Sequence, residues 1–286
     1  MAATTAPAPV GRSPGVVRAW RVLALVGVLA IAAVMLLPLV WMVATSFKPE
    51  TDIVKFPPAL LPDRVTFEHY REVWHRIPFA RLYLNTIVFA GGVTLISLLL
   101  DSMTAYALAR LRFRGSNVVF VAILVMLMLP FQVTLIPLYD LLVGLGWTNT
   151  MQGLIVPRAT NAFGIFFLRQ FLLSLPRDLE EAARIDGASE FRIYRRVIMP
   201  LAAPALLTLG LFHFMYNWND LLWPLVVTTE TSMQTLPAGL ALFMGQHVTE
   251  YGLLMAGSVL ATLPLVIAFL LIQRRFVEGI ATTGMK

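Results

Sequence analysis

Long apolar stretches separated by short polar connections dominate the hydrophobic pattern of this chain. A transmembrane helix needs roughly 20 consecutive apolar residues, because each residue adds about 1.5 Å to a helix that must cross about 30 Å of hydrocarbon. Stretches of this length cover residues 22–44, 84–109, 118–138, 151–173, 201–228 and 251–273. The pattern therefore predicts an all-α membrane protein with six transmembrane helices.

The first apolar stretch could also be a secretory signal. The hydrophobic region of a signal peptide is about 7–15 residues long, however, and the run over residues 22–44 is longer than that. We therefore interpret it as a transmembrane helix. Residues 1–21 are rich in Ala, Pro and Thr and contain no Asp or Glu, so we expect a disordered cytoplasmic tail there.

The basic residues predict which connections lie inside the cell, since Lys and Arg favour the cytoplasmic side of a membrane. They cluster in residues 110–114, 169–196 and 274–286, whereas the short connections 139–150 and 229–250 contain none. We expect both termini in the cytoplasm and the long connection 45–81 outside. This division gives a transmembrane domain over residues 22–273 and a cytoplasmic C-terminal tail over residues 274–286.

One polar connection stands out between the fourth and fifth apolar stretches. Between Arg169 and Pro200 the chain carries six arginines and five acidic residues, which excludes a position in lipid. We refer to residues 174–200 as the polar segment. Its pattern predicts two short helices with a bend at Gly187, because glycine tolerates the left-handed backbone that commonly ends a helix.

Both predicted helices of the polar segment have start signals. Pro176 suits a first helical turn, and the acidic residues after it lie where the helix dipole favours negative charge. Ser189 is a plausible N-cap of the second helix. Apolar residues spaced i, i+3 and i+7 on that second helix predict a single stripe, formed by Phe191, Tyr194 and Ile198. The polar segment would then present an apolar face that no other part of this chain covers.

The order of residues in the polar segment resembles the coupling-loop signature of the membrane subunits of ATP-binding-cassette importers. That signature is Glu-Ala-Ala, three further residues and Gly, then an apolar residue and a proline about a dozen positions on. The positions of this sequence assigned to it are Glu181, Ala182, Ala183, Asp186, Gly187, Phe191 and Pro200. The Asp-Gly-Ala variant at residues 186–188 is similar to the carbohydrate-uptake branch, the maltose type.

This resemblance implies a fold, a location and partners. The fold is that of a type I ATP-binding-cassette importer permease, a multi-pass protein of the bacterial inner membrane. The partners are a second permease subunit in a heterodimer, two copies of an ATP-binding subunit carrying ATP and Mg²⁺, and an external substrate-binding protein. The coupling helices in residues 174–200 would dock on the ATPase, and this chain would bind no cofactor itself. The alternative is a solvated amphipathic loop without a partner.

Composition and motifs argue against an enzyme. Hydrophobic residues make up 58% of the chain and charged residues 13%, whereas soluble domains have about 45–50% and about 25%. The sequence contains no Cys, no phosphate-binding Gly-x-x-x-x-Gly-Lys-Ser/Thr loop, no His-Glu-x-x-His and no Gly-x-Ser-x-Gly. We therefore expect no catalytic residue and no metal site, and the basic residues do not form a nucleic-acid-binding pattern.

Polar residues at membrane depth usually face a helix bundle or a watery path. Counting about 1.5 Å per residue places Asp101 near the inner side, where Arg110 and Arg112 could offset its charge. The same count places Arg158 about 10 Å from the outer face, so we expect no direct pair between Arg158 and Asp101. Arg158 and Asn161 could line a substrate path, or Arg158 could be a structural arginine between helices.

A second polar group lies in the outer half of the fifth predicted span. Asn217, Asn219 and Asp220 could form a wall of the substrate path, since amides and carboxylates hydrogen-bond to sugar hydroxyls. Trp218 and Trp223 would be interface aromatics on which a sugar ring could stack. The alternative interpretation is an ordinary hydrated helix end.

Three other functions remain open at this stage. A self-contained membrane enzyme or an ion-coupled secondary transporter would need a constellation of charged groups at the membrane midplane. The third alternative keeps the importer mechanism but changes the cargo to a glycerol phosphate ester, a peptide or another polar solute.

Overall fold

The computed structural model describes residues 14–245 and 249–283. Within these ranges it contains one isolated β-bridge, between Met244 and Thr249, and no β-strand. The helices of the first half are α1 (Pro14–Ser46), α2 (Glu50–Ile53), α3 (Glu68–Arg76), α4 (Phe79–Arg110), α5 (Ser116–Met128), α6 (Phe131–Gly144), α7 (Met151–Ile155) and α8 (Ala162–Ser174). Those of the second half are α9 (Asp178–Ile185), α10 (Glu190–Ile193), α11 (Met199–Leu201), α12 (Ala203–Trp218), α13 (Leu222–Val227), α14 (Leu236–Leu240) and α15 (Tyr251–Thr283).

The predicted all-α membrane fold is confirmed, but the apolar stretches do not all form straight helices. Among the described residues, three helical segments are long and apolar enough to cross a membrane alone: Trp20–Ser46, Phe79–Arg110 and Tyr251–Leu271. Two bent helix pairs, α5 with α6 and Glu190–Leu201 with α12, raise the number to five if each pair is one span. The count of six spans and the cytoplasmic position of the termini stay predictions.

Three of the departures from a straight helix lie at prolines. The third predicted stretch bends by 100° between α5 and α6, where Pro130 is the N-cap residue of α6. The fourth is interrupted after α7 by a 3-10 turn, Val156–Arg158, which contains Pro157. The fifth bends by 78° just before Pro204. Proline lacks the N–H that a continuous helix requires, so it favours these breaks.

Helix α4 is the centre of the bundle and packs against α8 and α12. Its Thr86 and Thr94 hydroxyls donate to the carbonyls of Leu82 and Ala90, one turn back, at 2.7 and 2.6 Å. These bonds satisfy the buried hydroxyls inside an apolar core. The largest core cluster lies between these helices and the polar segment and contains Ala105, Tyr106, Leu168, Leu172, Ile193, Ile198 and Leu209.

Helix α1 packs along α15 and turns apolar side chains outward over most of its length. Met35 is 73% exposed, as expected for a side chain whose solvent is lipid. The helix begins at Pro14, so its backbone extends from the predicted span into the predicted N-terminal tail. Residues 1–13 and 284–286 lie outside the described residues, and the backbone of α15 continues into the predicted tail as far as Thr283.

Candidate functional site

A cavity of about 890 Å³ lies beside the break in the fourth predicted span. It extends from the start of α8 to the C-terminal part of α12 and the start of α13. Its wall is formed by Asn161, Phe163, Leu209, Phe212, His213, Met215, Tyr216, Asn219, Asp220, Leu221 and Leu222. Amides, aromatic rings and aliphatic side chains therefore share one wall, which is the usual character of a small-molecule site.

The five predicted path residues occupy different positions relative to this cavity. Asn161, Asn219 and Asp220 line it. Asn217 is 3% exposed and donates to the carbonyl of His213 at 2.8 Å, so it belongs to the interior of the bundle. Arg158 is not a lining residue, and its guanidinium pairs with Asp220 from behind the wall. Their role in transport stays a prediction.

The ion pair between Arg158 and Asp220 joins two helix breaks. Arg158 ends the 3-10 turn in the fourth stretch, and Asp220 lies between α12 and α13. The guanidinium carbon of Arg158 lies 4.5 Å from the ring centre of Phe131 and 5.4 Å from that of Tyr216. Asp220 also accepts the backbone N–H of Trp223 at 3.2 Å. The pair therefore connects the two breaks beside the cavity, with Asp220 on the wall and Arg158 behind it.

Asp101 is fully buried, and its partners are not the ones that depth counting proposed. Its Oδ1 accepts the hydroxyl of Thr160 at 2.7 Å and the backbone N–H of Asn161 at 3.0 Å. Its Oδ2 lies 3.4 Å from Nε2 of His213. The predicted compensation by Arg110 and Arg112 is therefore wrong. The helix break brings the chain of residues 160–161 to the level of Asp101, and the absence of a pair with Arg158 agrees with the prediction.

The prediction of interface tryptophans is wrong. Trp218 and Trp223 are 2% and 0% exposed, and their indole N–H groups donate to the carbonyls of Ala261 at 3.1 Å and Leu154 at 3.0 Å. The accessible rings on the cavity are instead Phe163, Phe212 and Tyr216, which are 46%, 52% and 60% exposed. The i, i+4 spacing of Phe212 and Tyr216 places both rings on one face of α12.

The polar segment has the predicted bend. Helix α9 ends at Ile185, and Gly187 has φ of +76°. The N–H groups of Gly187 and Ala188 donate to the carbonyls of Arg184 and Ala183, each at 3.0 Å, which closes the helix end.

Two details of the predicted helix starts differ in the structure. Arg177 is the N-cap residue of α9, so Pro176 precedes the helix and does not lie in its first turn. Ser189 occupies the N-cap position of α10 without a side-chain hydrogen bond.

One side of the polar segment is held on the protein's own bundle by charge. Glu180 and Arg110 have side chains that are 2% and 1% exposed, and Oε1 of Glu180 lies 2.9 Å from Nε of Arg110. Glu190 accepts hydrogen bonds from Arg184 at 2.8 Å and from Tyr106 at 2.8 Å. The bond to Glu190 raises the pKa of Arg184 above its ordinary value, since it favours the charged guanidinium. The polar segment is therefore attached to the C-terminal end of α4.

The predicted apolar stripe of the second helix divides into two parts. A π-helical turn at Tyr194–Ile198 changes the residue spacing. Tyr194 and Ile198 are buried, and the Tyr194 hydroxyl lies 2.8 Å from that of Ser102, whereas Phe191 is 62% exposed. The prediction that nothing in this chain covers the stripe is therefore wrong for its second half.

The exposed apolar side chains of the polar segment form a different set. Leu179, Ile185 and Phe191 are 47%, 87% and 62% exposed. Six of the seven predicted coupling residues are also exposed, and Ala183 is half-buried. Sequence reasoning missed Leu179 and Ile185, although both lie on an eight-residue helix whose other face carries the buried Glu180.

The comparison with known families agrees with this architecture. The family model described as "Binding-protein-dependent transport system inner membrane component" matches residues 101–282, which include α8, the polar segment and α12. This chain belongs to that family. It is a permease component of an ATP-binding-cassette importer and not an enzyme, as the sequence predicted.

Relatives and a solved structure extend the likeness to most of the chain. The arabinooligosaccharide transport permease AraQ of Halalkalibacterium halodurans is 35% identical over 267 residues, covering 91% of this chain and 95% of that protein. The sn-glycerol-3-phosphate transport permease UgpE of Salmonella typhi is 32% identical, covering 87% and 91%. A crystal structure of a bacterial ABC transporter that imports the acidic polysaccharide alginate aligns with a TM-score of 0.79 at 26% identity, covering 94% of this chain and 100% of that chain.

Proposed function

We propose that this chain is one of the two permease subunits of an ATP-driven importer for a sugar or oligosaccharide in a bacterial inner membrane. The observation that carries the proposal is the two-sided polar segment. One side is fixed to the membrane helices by buried charge, and the other presents apolar side chains that the described part of the chain leaves uncovered. A segment of this kind can transmit motion from a bound partner to the bundle.

The partner that fits this surface is an ATP-binding subunit. Single exposed apolar residues are normal on a protein surface, but Ile185 and Phe191 flank the left-handed bend at Gly187 on a projecting hairpin. The charged residues around them are typical of the rim of an interface. The coupling residues Glu181 and Asp186 lie on the same exposed surface.

The remaining partners follow from this arrangement. The sequence has no phosphate-binding loop, so ATP and Mg²⁺ belong to the partner ATPase. Two copies of that subunit would serve this chain and a second permease, which form a heterodimer around the translocation path. An external substrate-binding protein delivers the cargo to the outer side.

The cavity supports a sugar as cargo. Asn161 and Asn219 offer amides to hydroxyl groups, and the aromatic rings of Phe163, Phe212 and Tyr216 offer faces to the C–H side of a sugar ring. AraQ, whose name specifies arabinooligosaccharides, covers nearly the whole chain. The likeness to UgpE favours a glycerol phosphate ester as the second candidate cargo.

Docking can be tested at the exposed apolar side chains of the polar segment. We expect Phe191→Ser to weaken association with the cognate ATPase by at least about tenfold, because burial of such a side chain contributes about 1.5–3 kcal/mol. Titration of the purified permease with the ATPase measures the effect. Phe56→Ser is the matched control, since Phe56 is 94% exposed in the long loop predicted to lie outside. Equal ATPase affinity in both variants would contradict the docking proposal.

A further inference from the structure

We propose that Asp220 sets the charge preference of the cavity, by neutralising Arg158 so that the wall accepts uncharged sugars and rejects anionic ones. This inference rests on the proposed function and makes it more specific. It assigns Asp220 and Arg158 a role in specificity and gives the cargo a chemical class, a neutral saccharide. If the cargo were a glycerol phosphate ester, the wall would instead be expected to accept an anion.

The balance of charge around the cavity is the first observation. Asp220 is the only Asp, Glu, Lys or Arg among the described residues that line it. Its side chain and that of Arg158 are 10% and 11% exposed, so both charges are mostly withdrawn from the open space. Apart from the paired carboxylate and the buried imidazole of His213, the wall that a ligand meets is made of uncharged amides, aromatic rings and aliphatic groups.

The hydrogen bonds of Asp220 are the second observation. Its Oδ2 accepts from Arg158, and its Oδ1 accepts the backbone N–H of Trp223. Both oxygens thus have donors that belong to the protein. A carboxylate held in this way contributes little to a ligand directly, and its main effect is to cancel the positive charge behind it.

Arg158 would remain in place if Asp220 lost its charge. Its guanidinium lies against the rings of Phe131 and Tyr216, and cation–π contacts of this kind hold an arginine independently of its ion pair. Tyr216 itself lines the cavity. Removing the carboxylate charge would therefore leave a positive group just behind the wall, within reach of an anionic sugar.

The second buried acid does not alter this balance. Asp101 accepts from Thr160 and Asn161 and lies 3.4 Å from Nε2 of His213, the one histidine on the cavity wall. Gly164 packs directly against this pair. Asp101 keeps these contacts in the wild type and in the Asp220 variants, so the difference between them reports how far the charge of Arg158 is compensated.

The test is ligand binding to the assembled permease–ATPase complex in detergent, without the external binding protein. Saturation-transfer NMR detects weak binding, and the probes are maltotriose and the trimer of galacturonic acid, which differ in charge. We expect the wild-type complex to bind the neutral trimer more tightly. In Asp220→Asn the ratio of the two affinities should move by about tenfold toward the acid, the effect of one charge-assisted hydrogen bond.

Two further variants keep the test decisive. Asp220→Asn combined with Arg158→Gln restores a neutral wall, so its affinity ratio should return to that of the wild type. Asp140→Asn removes the same charge from an exposed position of α6 and should leave the ratio unchanged. If Asp220→Asn assembles and its ratio is that of the wild type, the inference is wrong. The same holds if the wild-type complex prefers the acid trimer.

Transport measurements distinguish the role of Asp220 from the sugar cargo itself. ATP-driven uptake of a neutral sugar by the wild-type complex, with an unchanged affinity ratio in Asp220→Asn, supports the proposed function and overturns the role of Asp220. Transport of glycerol phosphate esters alone overturns both the sugar cargo and the neutral wall.

Discussion

Replacing Glu180 with alanine should lower the free energy of unfolding by about 3–5 kcal/mol, because it leaves Arg110 without its counter-ion inside the protein. The side chain of Arg110 is 1% exposed, and its remaining contacts are the carbonyls of Leu172 at 2.5 Å and Leu175 at 2.9 Å. Hydrogen bonds to neutral carbonyls compensate a buried guanidinium only in part. Denaturant unfolding of the purified subunit in mixed micelles measures the loss.

The neighbouring residue provides the matched control. Glu181 lies on the same helix turn but is exposed, so Glu181→Ala should change the unfolding free energy by no more than about 0.5 kcal/mol. The two variants distinguish the side of the polar segment that packs on α4 from the side that faces the proposed ATPase. Glu180 lies on the first side and Glu181 on the second. Should both variants unfold at the same denaturant concentration, the Arg110–Glu180 pair does not hold the polar segment to α4.

Features that depend on neighbours along the chain could be predicted from the sequence. The left-handed backbone at Gly187 is one example, because only the helix before it and the absence of a side chain decide it. The acidic first turn of α9 is another. The long apolar helices α1, α4 and α15 also follow from length and hydropathy, since a membrane demands both of a spanning helix.

Features that depend on the path of the chain in space could not be predicted in the same way. Depth counting treated the fourth stretch as a straight helix, and the break at residues 156–161 brings Thr160 and Asn161 to Asp101 in place of the proposed arginines. The prediction that Phe191, Tyr194 and Ile198 form one stripe assumed 3.6 residues per turn throughout the helix. The π-helical turn changes this spacing and places Phe191 apart from the other two. Partners such as Arg158 and Asp220, 62 positions apart, become neighbours only through tertiary packing.

The candidate site also combines features that the sequence predicted with features that depend on tertiary packing. Polar residues inside apolar stretches drew attention to residues 158–161 and 217–220, because such residues are costly in a membrane unless they have a role. The sequence did not show which of them face open space. It also favoured tryptophan as the aromatic surface, whereas both tryptophans fill the core and smaller rings on the face of α12 line the cavity.

Gly164→Ala should be the most damaging small substitution near the cavity. A methyl group at this position would overlap Oδ2 of Asp101 and lie 3.0 Å from Nε2 of His213. Neither side chain can move away easily, because both are buried and Asp101 is also bonded to Thr160 and Asn161. Overpacking typically costs about 1–3 kcal/mol, and disturbing a buried hydrogen bond about 1–3 kcal/mol more, so we expect a loss of roughly 2–6 kcal/mol.

Gly91→Ala separates this effect from the general consequence of replacing a helical glycine. Gly91 lies inside α4, and a methyl group there would meet no atom within 4 Å. Because alanine has the higher helix propensity, Gly91→Ala should be neutral or stabilising by up to about 1 kcal/mol. Thermal unfolding of both variants in the same detergent makes the comparison, and ligand binding by Gly164→Ala at low temperature reports on the cavity. If Gly164→Ala unfolds at the wild-type temperature, the contact between α4, α8 and α12 is loose enough to admit a methyl group, and Asp101 does not fix the position of Asn161 on the cavity wall.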